Sequence, residues 1–166
     1  MAQIALPHFG TIDPGNLEEY YDVEVTLSGN AIEIDLNFDG NSIDTGRIEA
    51  VKKFLDNIDQ YLGKTREYIS ADFGDEDRDS VKFYLSFHKE EMGETELREA
   101  LKLTAGTNDL DQQLIAKLQP VRIGIYPGSD DYFAIFDYSF GRDFTNYILV
   151  VITDENGELI DMTVES

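Results

Sequence analysis

Between Tyr20 and Phe38 apolar and polar residues alternate. Tyr21, Val23, Val25 and Leu27 interleave with Tyr20, Asp22, Glu24 and Thr26, and Ile32, Ile34, Leu36 and Phe38 interleave with Glu33, Asp35 and Asn37. A period of two is that of a half-buried strand, and the intervening Ser28-Gly29-Asn30-Ala31 is a tight-turn signal. A two-residue loop at Gly29 and Asn30 would set Val25 opposite Ile34 on the apolar side. The same register sets Glu24 opposite Asp35 on the polar side, with no base nearby in sequence.

The period then changes. Ile48, Val51, Leu55, Ile58 and Leu62 recur at three- and four-residue spacing, which predicts a helix closed by Gly63. A short helix over Arg66–Phe73 follows, then one over Asp79–Glu91 with Val81, Tyr84, Leu85 and His88 on one stripe and Phe83 and Phe87 beside it. Thr95 opens a further short helix before the segment Leu103–Asp109. Asp109 and Gln112 have the spacing of a capping box for a last helix, which Pro120 ends.

Strands return after Pro120. A four-residue loop at Gly128–Asp131 pairs Ile125 with Ala134, Ile123 with Phe136, and Arg122 with Asp137. Tyr147–Thr153 has no polar alternation, as in a central strand buried on both faces. Asn156-Gly157 is a strong hairpin signal. It leads into a last strand, Leu159–Glu165, that exposes Asp161, Thr163 and Glu165 on one side.

Strands, then helices, then strands predict an α+β fold: an antiparallel sheet of about six strands with a helical insert of four to five short helices packed on one face. The chain reads as a single domain over residues 1–166, with a strand hairpin at 18–38, the helical insert at 42–119 and a four-strand block at 120–165. At 166 residues and 42% hydrophobic content it can bury a sizeable core.

Charge changes the picture more than composition does. The net charge is -21; residues 1–46 carry nine acids and no Lys or Arg, and residues 119–166 carry nine acids against Arg122 and Arg142. The strand-bearing flanks therefore hold sixteen of the twenty-one net charges. Such a surface repels nucleic acid and anionic membranes and attracts basic proteins, so a basic protein is the expected partner. With no cysteine, no basic segment ahead of an apolar stretch at the N-terminus, and no apolar run long enough to span a bilayer, a cytoplasmic location is the expectation.

With helices on one face, the other face is expected to be open and to display Asp22, Glu24, Thr26, Glu33, Asp35, Asn37, Arg122, Asp137, Asp161, Thr163 and Glu165. Asp22, Glu24, Glu33, Asp35, Arg122 and Asp137 form the candidate binding face, with Tyr20, Tyr126 and Tyr132 as aromatic anchors at its rim. The leading reading is a non-enzymatic module that docks a basic protein. The alternatives are a carboxylate-based hydrolase or divalent-metal protein using Asp22, Glu24, Asp35 and His8 with Asp13, and a domain that self-associates through the edge strand at Leu159–Val164.

Specific motifs are few. Asp75, Asp77 and Asp79 imitate the start of a calcium loop, but Ser80 stands where the turn glycine belongs and Ser86 where the bidentate glutamate belongs. The segment reads instead as an acidic loop capping the next helix. His88 falls on an apolar stripe and reads as a core residue, and two isolated histidines make no zinc site. Arg142 reads as an anion contact or as a partner of Asp143 or Asp137. No nucleotide-binding or nucleophile-elbow motif occurs, so no cofactor and no catalytic residue is implied.

The blocks HFGTIDP (8–14), LEEYYDVEV (17–25), IEIDLNF (32–38) and 121–159 together resemble an uncharacterised bacterial family catalogued as domain of unknown function 2004. The resemblance implies a bacterial cytosolic protein and assigns no site residues. Immunity proteins, which neutralise toxins by binding them, offer an analogy in size and charge only.

Overall fold

The computed structural model describes residues 3–104 and 109–166; Ala105–Asn108, inside the segment expected to follow the Thr95 helix, lie outside the described residues. Strands β1 (Ile4–Leu6), β2 (Gly10–Ile12), β3 (Tyr20–Leu27) and β4 (Asn30–Asn37) come first. Helices α1 (Thr45–Asp56), α2 (Ile58–Gly74), α3 (Ser80–Met92), α4 (Glu94–Ala100) and α5 (Leu110–Lys117) follow. Strands β5 (Gln119–Ile125), β6 (Ala134–Ser139), β7 (Ile148–Thr153) and β8 (Leu159–Glu165) complete the order. The fold is α+β: β3 to β8 form one sheet in chain order, and β1 and β2 form a separate hairpin. That hairpin has three residues per strand, too few for an alternating pattern to register.

The sheet is mixed rather than antiparallel, because β4 and β5 run parallel. The helical insert is the reason: it carries the chain back to the end of the sheet from which β4 started, as a parallel junction requires. The inner face, with Ile32, Ile34, Leu36, Ile123, Ile125, Phe136, Leu149 and Val151, packs against the helices in one core. Each large side chain buried there contributes roughly 1.5–3 kcal/mol.

Three local expectations need correction. The β3–β4 turn is Ser28-Gly29, not Gly29-Asn30: both residues have positive φ, 51° and 82°, as a two-residue turn matched to strand twist requires. The register therefore moves by two, so Val25 faces Ile32, Glu24 faces Glu33 and Asp22 faces Asp35, while every side chain keeps its face. Helix α2 runs through Gly63, because the buried stripe of Ile58, Tyr61, Leu62, Thr65 and Ile69 outweighs a mid-helix glycine cost of about 1 kcal/mol. The break falls instead at Asn57, whose Nδ2 donates to the Lys53 carbonyl at 2.8 Å. Finally, Asp79 makes no side-chain cap on α3. Buried Asp72 does that work from α2, with Oδ1 accepting the Val81 N–H and Oδ2 the Arg78 Nε–H, both at 3.0 Å.

Other readings hold. Ile125 faces Ala134, Ile123 faces Phe136 and Arg122 faces Asp137, and Asp109 caps α5 by accepting the Gln112 N–H. Strand β7 is apolar on both faces, as expected, but is next to the edge strand β8 rather than at the centre.

His88 is buried among Tyr84, Phe87, Phe140, Phe144 and Tyr147. Its Nδ1–H donates to the Tyr84 carbonyl at 2.7 Å, leaving Nε2 to accept the Thr145 hydroxyl at 2.9 Å. Burial pushes its pKa below the usual histidine value, against the smaller opposing effects of the Tyr84 carbonyl and Glu91. Above about pH 6.5 the folded and unfolded states both hold it neutral; below that, the unfolded chain takes up a proton that the native chain resists. The contribution of His88 to stability is thus complete at neutral pH and is lost as pH falls through the folded pKa. Urea unfolding of wild type and His88→Gln between pH 7.5 and 5 should show the wild-type advantage shrinking on acidification. An advantage constant with pH would mean that the ring takes up its proton as readily in the folded chain as in the unfolded one.

Candidate functional site

The sheet face turned away from the helices is organised in rows that cross the strands. One row runs Glu24, Glu33, Arg122, Asp137, Val150, Thr163, and its neighbour runs Asp22, Asp35, Gly124, Ile135, Ile152, Asp161. The expected outward residues are therefore all on this face, but they divide into two groups with different chemistry.

The first group is a closed ionic cluster. Asp35 is fully buried although it lies on the outer face. Arg122 grips it with both ends of the fork: Nε donates to Oδ2 at 2.7 Å and Nη2 to Oδ1 at 2.9 Å. Arg122 Nη1 reaches Asp137 Oδ2 at 3.4 Å, and Nη2 also donates to the Tyr126 hydroxyl at 2.7 Å. Asn37 Nδ2 completes the set by donating to Asp35 Oδ1 at 2.6 Å. Burial alone would make Arg122 easier to deprotonate, but the hydrogen bonds it donates to Asp35 and Tyr126 and the Asp35 charge outweigh it and raise the pKa. Burial raises the pKa of Asp137, and Arg122, then Arg142, oppose the shift. Gly124 makes room: a Cβ there would lie 2.6 Å from Arg122 Nη2 and 3.0 Å from the Tyr126 ring.

This geometry corrects the expectation that Asp35 lacks a basic partner. It also commits the Asp35 and Asp137 carboxylates and the Tyr126 hydroxyl to contacts within the chain. Among the described residues no three carboxylate or histidine groups converge as a cation site. His8 is exposed in the β1–β2 turn, while the Asp13 carboxylate accepts the Gly15 N–H; no contact joins the two.

The second group is open. Asp22 and Glu24 are exposed and Glu33 is half-buried, and no ion pair among the described residues includes any of them. The field they create reaches Tyr20, which is 49% exposed. Its hydroxyl pKa is raised, first by partial desolvation and then by Asp35, Glu33 and Asp22, with Arg122 opposing. The Tyr20 hydroxyl donates to Glu33 Oε1 at 3.4 Å. Tyr132 meets Tyr126 edge-on at 5.3 Å between ring centres and lines a cleft of about 570 Å³ with Arg47, Pro127 and Asp154. Arg47 is tied there to the Pro127 carbonyl at 3.0 Å and to Glu155.

The alternation-based reading missed one feature. Ile135, Ile148 and Ile152 are half-exposed on this same face around buried Val150, forming an apolar strip bordered by Asp161 and Glu165 on β8. The uniform apolarity of Ile148–Ile152 carried the signal, but it reads equally as burial beneath a second layer.

The two edges of the sheet differ. On β8 the outward N–H of Met162 donates to Asp161 Oδ1 at 2.8 Å, and Ser80 Oγ donates to the Met162 carbonyl at 3.0 Å. The middle of that edge is thus satisfied within the chain, which counts against self-association there. No family model, no curated protein and no solved structure matches this chain. Arg142 and Asp143 are exposed in the β6–β7 loop, where the charge of Arg142 reaches Asp137. No helix among the described residues is long and apolar enough to cross a membrane.

Proposed function

We propose that this protein is a non-enzymatic binding module that docks a basic protein on the outer face of its sheet. The observation that supports it is the separation of charge on that face: Arg122 is consumed by buried Asp35 and Asp137, while exposed Asp22 and Glu24 and half-buried Glu33 have no ion-pair partner among the described residues. Like charges placed opposite each other, as Glu24 and Glu33 are, cost roughly 0.2–1 kcal/mol per pair. A cationic partner would relieve that cost. The adjoining apolar strip supplies the desolvated contact that charge alone does not provide. An immunity-type role, in which the partner is a basic toxin, fits the same surface.

The test is retention from host lysate at low and moderate salt, with wild type beside an Asp22→Asn, Glu24→Gln, Glu33→Gln variant, followed by rebinding of the purified captured protein. Asp35 is left unchanged because it belongs to the ionic cluster. A basic protein that rebinds wild type, weakens as salt rises and binds the variant at least about tenfold less tightly is expected, since exposed charges are screened over about 8 Å at physiological ionic strength. Equal binding of wild type and variant would reject the face as the site.

A further inference from the structure

We infer that the partner enters as an extended basic segment that adds a strand to the free edge of β3. This rests on the reading of the outer face as an acidic docking surface and specifies how that surface is engaged.

Backbone geometry carries the inference. The turn at Ser28-Gly29 makes Leu27 and Asn30 a hydrogen-bonded pair, and the Phe38 N–H donates to the Glu19 carbonyl at 2.9 Å at the far end of the same ladder. In an antiparallel pair such positions alternate. Tyr21, Val23 and Val25 therefore bond inward to β4, while Tyr20, Asp22, Glu24 and Thr26 direct their N–H and C=O groups outward. Among the described residues none bonds to those outward groups of Asp22, Glu24 or Thr26. The helices also stop short of this edge: Ile32, Ile34 and Leu36 of β4 are fully buried, whereas Tyr21, Val23 and Val25 of β3 remain half-exposed.

An added strand would bring three complements at once. Its backbone would satisfy the outward ladder, its inner-face apolar residues would cover Val23 and Val25, and its outer-face Lys or Arg would sit beside Asp22 and Glu24. A second copy of this chain fits worse, because pairing β3 with itself would set Asp22 and Glu24 against the same acids. At the opposite edge, Met162 is already bonded on both groups and interrupts that ladder, whereas the outward groups of Asp22, Glu24 and Thr26 form an uninterrupted run.

The probe is the peptide Lys-Val-Lys-Val-Lys-Val-Lys, tested at low salt on the full chain against a scrambled peptide of the same composition. Two further versions carry N-methyl groups on alternate amides, one on the lysines and one on the valines. Amide exchange of Asp22 and Glu24 is followed throughout. The alternating peptide should slow exchange at both amides, and one methylated set should weaken binding about tenfold or more while the other leaves it intact, because only every second amide faces β3. Equal binding of the alternating and scrambled peptides without new protection would overturn strand addition but leave charge-driven docking standing. Failure of every cationic peptide to bind would overturn both. Protection that grows with protein concentration in the absence of peptide would overturn the inference in favour of self-pairing.

Discussion

Arg122→Met should destabilise the native chain by about 3–5 kcal/mol, the cost of leaving a buried charge without its partner. Methionine retains most of the apolar stem but removes the fork that holds both oxygens of Asp35, a carboxylate with no access to water. It also removes the Nη1 contact to Asp137, itself buried, and the donor to Tyr126. Among the described residues Asn37 would remain the one hydrogen-bond donor at Asp35. Urea unfolding measures the loss directly. The double variant Arg122→Met, Asp35→Leu should regain much of it, because removing the Arg122–Asp35 pair abolishes its desolvation cost along with its attraction and leaves only the Asp137 carboxylate without its Arg122 contact. A loss below about 1 kcal/mol in the single variant would mean that water reaches Asp35 and that the pair behaves as a surface ion pair.

Gly157→Ala should be the second large effect, at about 2–4 kcal/mol from backbone strain and overpacking together. Gly157 sits after the Glu155-Asn156 turn with φ near 78°, where a Cβ is disfavoured. The new methyl would also lie 2.4 Å from Cδ1 of Tyr61. That ring has nowhere to retreat: it is buried and stacked on Phe54 at 4.6 Å between ring centres. The same turn is held by Tyr68, whose hydroxyl donates to the Gly157 carbonyl at 2.7 Å. Thermal unfolding of Gly157→Ala beside Gly29→Ala separates the two causes. Gly29 has a similar φ but open space around it, so its loss should report strain alone. Equal losses in the two variants would show that the Tyr61 contact contributes nothing.

Much of the fold is legible in the residues because burial here follows simple periods. Alternation in Tyr20–Leu27 assigns every side chain to its observed face, and the pairing of Arg122 with Asp137 follows from loop length alone. Register in the first hairpin is less legible, since a turn at 28–29 and one at 29–30 differ only in which residues must tolerate positive φ, and serine at 28 does not advertise it. The ionic cluster was half visible. Arg122 and Asp137 are fifteen residues apart on adjacent antiparallel strands, a local relationship. Asp35 and Arg122 are eighty-seven residues apart and meet only because β4 and β5 run parallel, which no local pattern encodes. Asp72 as the cap of α3 escaped for the same reason: its carboxylate arrives from the preceding helix, while Asp79 stands where a local cap would be.

The parallel junction between β4 and β5 has a consequence for how the sheet is assembled. Strands β3 and β4 meet through a two-residue turn, and β5 to β8 form a meander of neighbours in sequence, so each block can pair with little loss of chain entropy. The seam between them closes only after the whole helical insert has been spanned, and non-local pairings of this kind govern folding rate. Folding is therefore expected to proceed as the docking of two preformed sheet halves. Arg122, reaching across from β5 to grip Asp35 on β4, is the latch that commits the two halves to one register.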